Sequence, residues 1–183
     1  MPHIALTEGL PGITAVFAFR PETAVHMRAM ADELLRGPNT LTPGEREIIA
    51  TYVSNRNDCH FCRASHRAAA AHHLAGDYAT VDAVCADPRT APVSGKLRAL
   101  LAIAAKVQQS GRDVTADDVV SAREAGATDR EIHDAVLIAA MFSMFNRYVD
   151  GLATWTPESA DAYDAMGRRM AHEGYVRRDG VAK

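Results

Sequence analysis

The chain has 183 residues, enough for one domain with a sizeable core, and 48% of them are apolar. Its formal charge of −3 gives no overall pull toward nucleic acid or an anionic membrane, and no apolar run approaches the roughly 20 residues that span a bilayer. Three cysteines cannot build a disulfide framework without a remainder, so a close cysteine pair is expected to be catalytic or metal-binding in a reducing cytoplasm.

From the N-terminus, residues 1–20 read as an extended arm. "MPHIALTEGLPGITAVF" has no positive flank and is broken by Pro11, so it is not expected to be a secretory leader. A helical domain then occupies 21–175. Its first helix places Ala24, Met27, Met30, Ala31 and Leu34 at spacings of three and four, between Pro21 and Gly37. The second starts at Thr42, with Pro43 at the first helical position and Glu45 three after the cap. The third starts near "NDC", with Asn57 or Asp58 as cap, and ends at Gly76. "DYATVDAVCAD" is a short fourth helix, stopped by Pro88, and a fifth lies between Ser94 and Gly111. Thr115 with Asp118, and Thr128 with Glu131, begin the sixth and seventh, and "PESADAYDAMGRRMAHEG" is the eighth. The fold class expected is all-α, a single domain of about eight helices. The basic tail, 176–183 within "YVRRDGVAK", is expected to fray. "REI" occurs at Arg46–Ile48 and again at Arg130–Ile132, an offset of 84 that would set Ser143, Asn146 and Asp150 opposite Cys59, Cys62 and His66.

The chemistry concentrates in "REIIATYVSNRNDCHFCRASH". With Cys59 in the first turn of the third helix, unpaired N–H groups and the helix dipole favour a thiolate. Cys62 follows one turn later, and His66, four residues on, lies beside it as a potential base. Glu47 belongs to the preceding helix. It lies about 18 Å of helix rise from Cys59, against about 10 Å for His66, so the carboxylate and the imidazole meet only if the two helices cross favourably. Two readings stand: a reactive dithiol with a proton relay, or a redox or zinc-binding sensor using the same thiols. One zinc ion cannot collect Cys59, Cys62, His66 and His73, because the stripe spans about 21 Å of helix while zinc ligands lie at about 2.0–2.3 Å. A sensor also calls for an output surface such as a basic DNA-reading helix, and Arg and Lys are scattered instead. Cys85 is expected to be a small buried hydrophobe. His72 and His73 read as surface or packing residues, and Met141, Phe142, Met144 and Phe145 as core.

The pattern Glu47-x11-Cys59-x2-Cys62-x3-His66 resembles the AhpD-like, or carboxymuconolactone decarboxylase-like, family of all-α proteins. "LLRGPNTLTPGEREIIA" before it and "FNRYVDGLATWTP" after it are similar to the peroxidase-related branch. The resemblance implies a thiol-dependent alkyl hydroperoxidase working without a cofactor or bound metal. Its substrate would be a hydroperoxide and its electron donor a dithiol reductant. Cys62 would attack, Cys59 would resolve, and His66 and Glu47 would relay protons. The decarboxylase members lack the dithiol, so their reaction is not expected. Where the best-known peroxidases carry a further histidine just before the second cysteine, this chain has Phe61, and His60 is turned about 100° away round the helix. The resemblance also implies a homo-oligomer, a dimer, trimer or hexamer. The apolar stretch "LPGITAVFAF" is compatible with lying on a neighbour or on its own subunit.

Overall fold

The computed structural model describes residues 1–176. Among them are nine α-helices and one 3-10 turn, with no strand: α1 Ile13–Phe19, α2 Pro21–Arg36, α3 Pro43–Arg56, α4 His60–His73, α5 Tyr78–Ala86, α6 Gly95–Gln109, α7 Ala116–Glu124, α8 Asp129–Gly151 and α9 Ala160–Glu173. The fold is all-α, as expected, with one helix more than the reading of the sequence. The extra helix is α1, in the arm expected to be extended. Ala15, Val16 and Phe17 are buried in their own subunit, so burial of an apolar face carries a seven-residue helix that its sequence alone does not announce. No helix of the described residues is long and apolar enough to cross a membrane. Most of the basic tail, 177–183, lies outside the described residues.

The helix starts follow their caps. Thr42 with Glu45, Thr115 with Asp118, and Thr128 with Glu131 each close a capping box. The third expected cap differs. α4 begins after Cys59, whose side chain makes no capping hydrogen bond, while Asn57 and Asp58 form the turn before it.

α3 lies at the centre of the molecule, flanked by α4, α6 and α8. It runs antiparallel to α4: a Cβ on Gly44 at its start would meet His73 and Leu74 at the end of α4, at 3.2 and 3.3 Å. α9 closes against α4 through a glycine contact. A Cβ on Gly167 would fall 2.3 Å from the Ala68 Cβ and 2.5 Å from its carbonyl carbon. The two "REI" copies sit at the starts of α3 and α8. Arg46 is buried and donates to the Leu34 and Gly37 carbonyls, each at 3.0 Å, which ties α2 to α3. Glu131, also buried, accepts from Lys96 at 2.7 Å and Thr40 at 2.8 Å.

Candidate active site

The antiparallel pairing of α3 and α4 decides the meeting that spacing left open. Glu47, one turn into α3, faces His66 in the middle of α4, with Oε2 2.7 Å from Nδ1. Glu47 is 1% exposed and His66 9%, so water competes little for this pair. With Nδ1–H donating to the carboxylate, Nε2 is left as the acceptor of the ring. Phe142 of α8 packs edge-on to the imidazole at a centroid distance of 4.6 Å and limits its rotation.

A residue that sequence reasoning missed completes this group. The Tyr175 hydroxyl donates to Glu47 Oε1 and lies 3.4 Å from His66 Nδ1, and its ring stacks on the imidazole at 5.9 Å and 10°. Tyr175, the last residue of the expected helical domain, was given no part in the site. α9 ends at Gly174, whose positive φ of 83° turns the chain back. The Tyr175 N–H then donates to Asp32 at 2.9 Å, while Arg36 donates to the Met170 and Ala171 carbonyls. Burial, and next the charge of Glu47, push the Tyr175 hydroxyl well above its ordinary value of 10, so it stays a neutral donor.

The two thiols stand at the start of α4. Cys59 caps the helix and Cys62 lies three residues on; they are free, 0% and 3% exposed, in a small apolar cluster with Phe61, Val149 and Tyr163. The turn leading to Cys59 puts Asp58 at φ 54°, left-handed for a residue with a side chain, and anchors it to α8 through Asn57 Nδ2 and Asn146 Oδ1 at 2.8 Å. The hydrogen bond with Cys62, followed by burial, drives the Cys59 thiol far above the ordinary thiol range. Burial pushes the Asp150 carboxyl at the end of α8 up, and the neighbouring Cys59 thiol holds it back. Asp150 is the residue that the repeat set opposite His66, yet its chemistry is turned toward the first copy.

Cys62 and His66 line one partly open cavity of about 70 Å³, with Tyr175 beside them. Its walls include Phe17, Phe61, Phe142 and Phe145. Phe61 is 4% exposed, and a Cβ on Gly12 would fall 2.3 Å from its ring, so α1 is seated directly upon it. His60 faces the other way. It is exposed, edge-on to Tyr163, and lines a separate open groove.

Other expectations need adjustment. Cys85 is half-buried rather than buried, and burial pushes its thiol up to about 11. Met144 is 40% exposed, outside the core that holds Met141, Phe142 and Phe145. His72 pairs with Asp164 at 2.9 Å. Among the described residues, no three His, Cys, Asp or Glu side chains gather as a metal site requires.

No family model and no curated protein matches the chain. Solved structures do. A peroxidase-related protein from Ralstonia eutropha JMP134, described as an alkylhydroperoxidase AhpD core, superposes with a TM-score of 0.77 at 28% identity, over 87% of this chain and 82% of its own. A peroxidase-related protein from Silicibacter sp. TM1040 superposes with a TM-score of 0.76 at 30% identity, over 86% of this chain and 81% of its own. Fold, motif and these likenesses converge, and the chain belongs to the AhpD-like family, in its peroxidase-related branch.

Proposed function

We propose that the protein is a thiol-dependent hydroperoxide reductase that cycles between a Cys59/Cys62 dithiol and its disulfide. The observation that carries this reading is the 2.7 Å bond between Glu47 and His66, whose imidazole shares an apolar cavity with Cys62. The neutral imidazole takes the Cys62 proton. The thiolate attacks the outer peroxide oxygen, the O–O bond breaks, and Cys62 becomes a sulfenic acid. The alkoxide leaves with the proton held on His66, as an alcohol. Cys59 then attacks the Cys62 sulfur: the S–S bond forms, the S–O bond breaks and water departs. Asp150 accepts the Cys59 proton on its way to that water. A dithiol reductant restores both thiols and is itself oxidised.

Either thiol stands near the helix start, where the dipole contributes about 0.3–1 kcal/mol, up to about 2 when partly buried. A positioned base contributes about 10²–10⁴-fold, or about 3–5 kcal/mol, so the thiol next to His66 is the attacking one. The test is single turnover with an alkyl hydroperoxide. Cys59→Ser is expected to consume one equivalent and trap a sulfenic acid on Cys62. Cys62→Ser should react far more slowly, and His66→Ala should slow the first step by about 10²–10⁴-fold. Rapid reaction of Cys62→Ser with a silent Cys59→Ser would reverse the two roles, and an inert wild-type protein would remove the function. The same reading places the enzyme in a reducing cytoplasm as a homo-oligomer, a dimer, trimer or hexamer.

A further inference from the structure

The cavity around Cys62 contains more than a peroxide group needs. Phe17, Phe61, Phe142, Phe145, Met166 and Met170 give it an apolar body, and Arg28 and Arg169 also line it, yet no aspartate or glutamate does. Arg28 is engaged: it donates to the Tyr175 carbonyl at 3.4 Å and lies over the Phe17 ring at 4.8 Å. Arg169 differs. It is half-buried, and among the described residues it forms no hydrogen bond or ion pair. Met166, Arg169 and Met170 fall at i, i+3 and i+4 on one face of α9. These three line the cavity with Cys62 of α4, and the close approach at Gly167 holds α9 on that helix.

A guanidinium taken partly out of water without an anion has lost solvation and gained no charge partner. Its planar fork fits a carboxylate through two parallel N–H···O bonds. Hydrogen peroxide, or a purely hydrocarbon peroxide, would use the sulfur and leave the cation unanswered.

We infer that the substrate is an organic hydroperoxide carrying a carboxylate, with its apolar chain between the aromatic walls and its carboxylate on Arg169. This rests on the peroxidase reading above.

The test compares hydroperoxyoctanoate with its methyl ester, which keeps the peroxide and the chain and removes the charge. Wild-type protein is expected to favour the acid in kcat/KM by about ten- to hundred-fold, the range of a charged hydrogen bond. The preference should lie mainly in KM. Arg169→Gln should bring the acid-to-ester ratio close to one, and Arg169→Lys should keep part of it. Because the ratio is internal to each variant, a general loss of folded protein does not imitate the result. Equal use of acid and ester by the wild type, or a ratio that Arg169→Gln leaves unchanged, overturns the inference. Calorimetry with unreactive octanoate and methyl octanoate separates the two readings. Octanoate binding that is lost in Arg169→Gln, in a protein inert toward every hydroperoxide, would support the carboxylate site and sink the peroxidase reading.

Discussion

Glu47 is a carboxylate removed from water and given two donors, the His66 imidazole and the Tyr175 hydroxyl. Each donor lowers the cost of burying the charge, and together they fix which oxygen faces which ring. Tyr175→Phe keeps the stacking and deletes one donor. It is expected to cost about 1.5–3 kcal/mol of stability at neutral pH, the range for a hydrogen bond to a charged group. The sign of the pH dependence follows from the raised Tyr175 value. The folded protein prefers the neutral phenol, so this contribution is fully present below pH 10 and is lost as pH rises toward the higher folded value. In urea unfolding, the gap between wild type and Tyr175→Phe should hold to about pH 10 and narrow above it. A gap that widens with alkalinity would contradict the bond. Tyr175 was illegible in the sequence because it lies 109 residues beyond His66 and returns only through the turn at Gly174. Cys59, Cys62 and His66 were legible as neighbours because they follow one another along α4 and its cap, where spacing is geometry, whereas the approach of Glu47 to His66 depends on the α3–α4 pairing, which spacing left open.

At the scale of the helix, the site depends on how closely α9 approaches α4. Gly167 has no room for a methyl group: the atoms it would meet include the Ala68 carbonyl carbon and the Ala69 nitrogen, which cannot swing aside as a side-chain tip can. Gly167→Ala is therefore expected to push α9 outward at about 1–3 kcal/mol, the typical cost of overpacking. Met166, Met170 and Tyr175 would move with it, so thermal unfolding and hydroperoxide turnover should decline together. An alanine variant as stable as wild type would show that α9 sits farther out than described. The same scale explains the two misread element ends. α1 has no polar start signal and forms because Val16 and Phe17 find a core to enter. The start of α4 carries two apparent caps, Asn57 and Asp58, but Asn57 is drawn to Asn146 and Asp58 is held left-handed, so the cap falls to Cys59.

For the whole molecule, the apolar surface that the subunit leaves uncovered bears on assembly. Phe19 and Val25 are 53% and 57% exposed, and Val25 rims a groove with Leu10, Phe17 and Pro21. The oligomer proposed for this protein would cover such surface, and light scattering at micromolar concentration should return at least twice 19.7 kDa. A monomer would remove that part of the proposal. Helix order and the all-α class were legible because capping boxes and apolar stripes are local. Which faces remain open was not, since that depends on where the helices end up relative to one another.

Cys59 is 0% exposed, and the residue before it holds a left-handed backbone angle. A reductant thiol larger than the cavity can strike neither this sulfur, which no solvent touches, nor that of Cys62, which is 3% exposed on the cavity wall. Regeneration would then wait for the α3–α4 turn to unfasten, and the strain at Asp58 makes that turn a low-cost place to do so. The oxidised enzyme would act as a latch with its own release time. Beyond a certain supply of reductant, the protein's breathing, and not the frequency of encounters, would set the pace of the cycle.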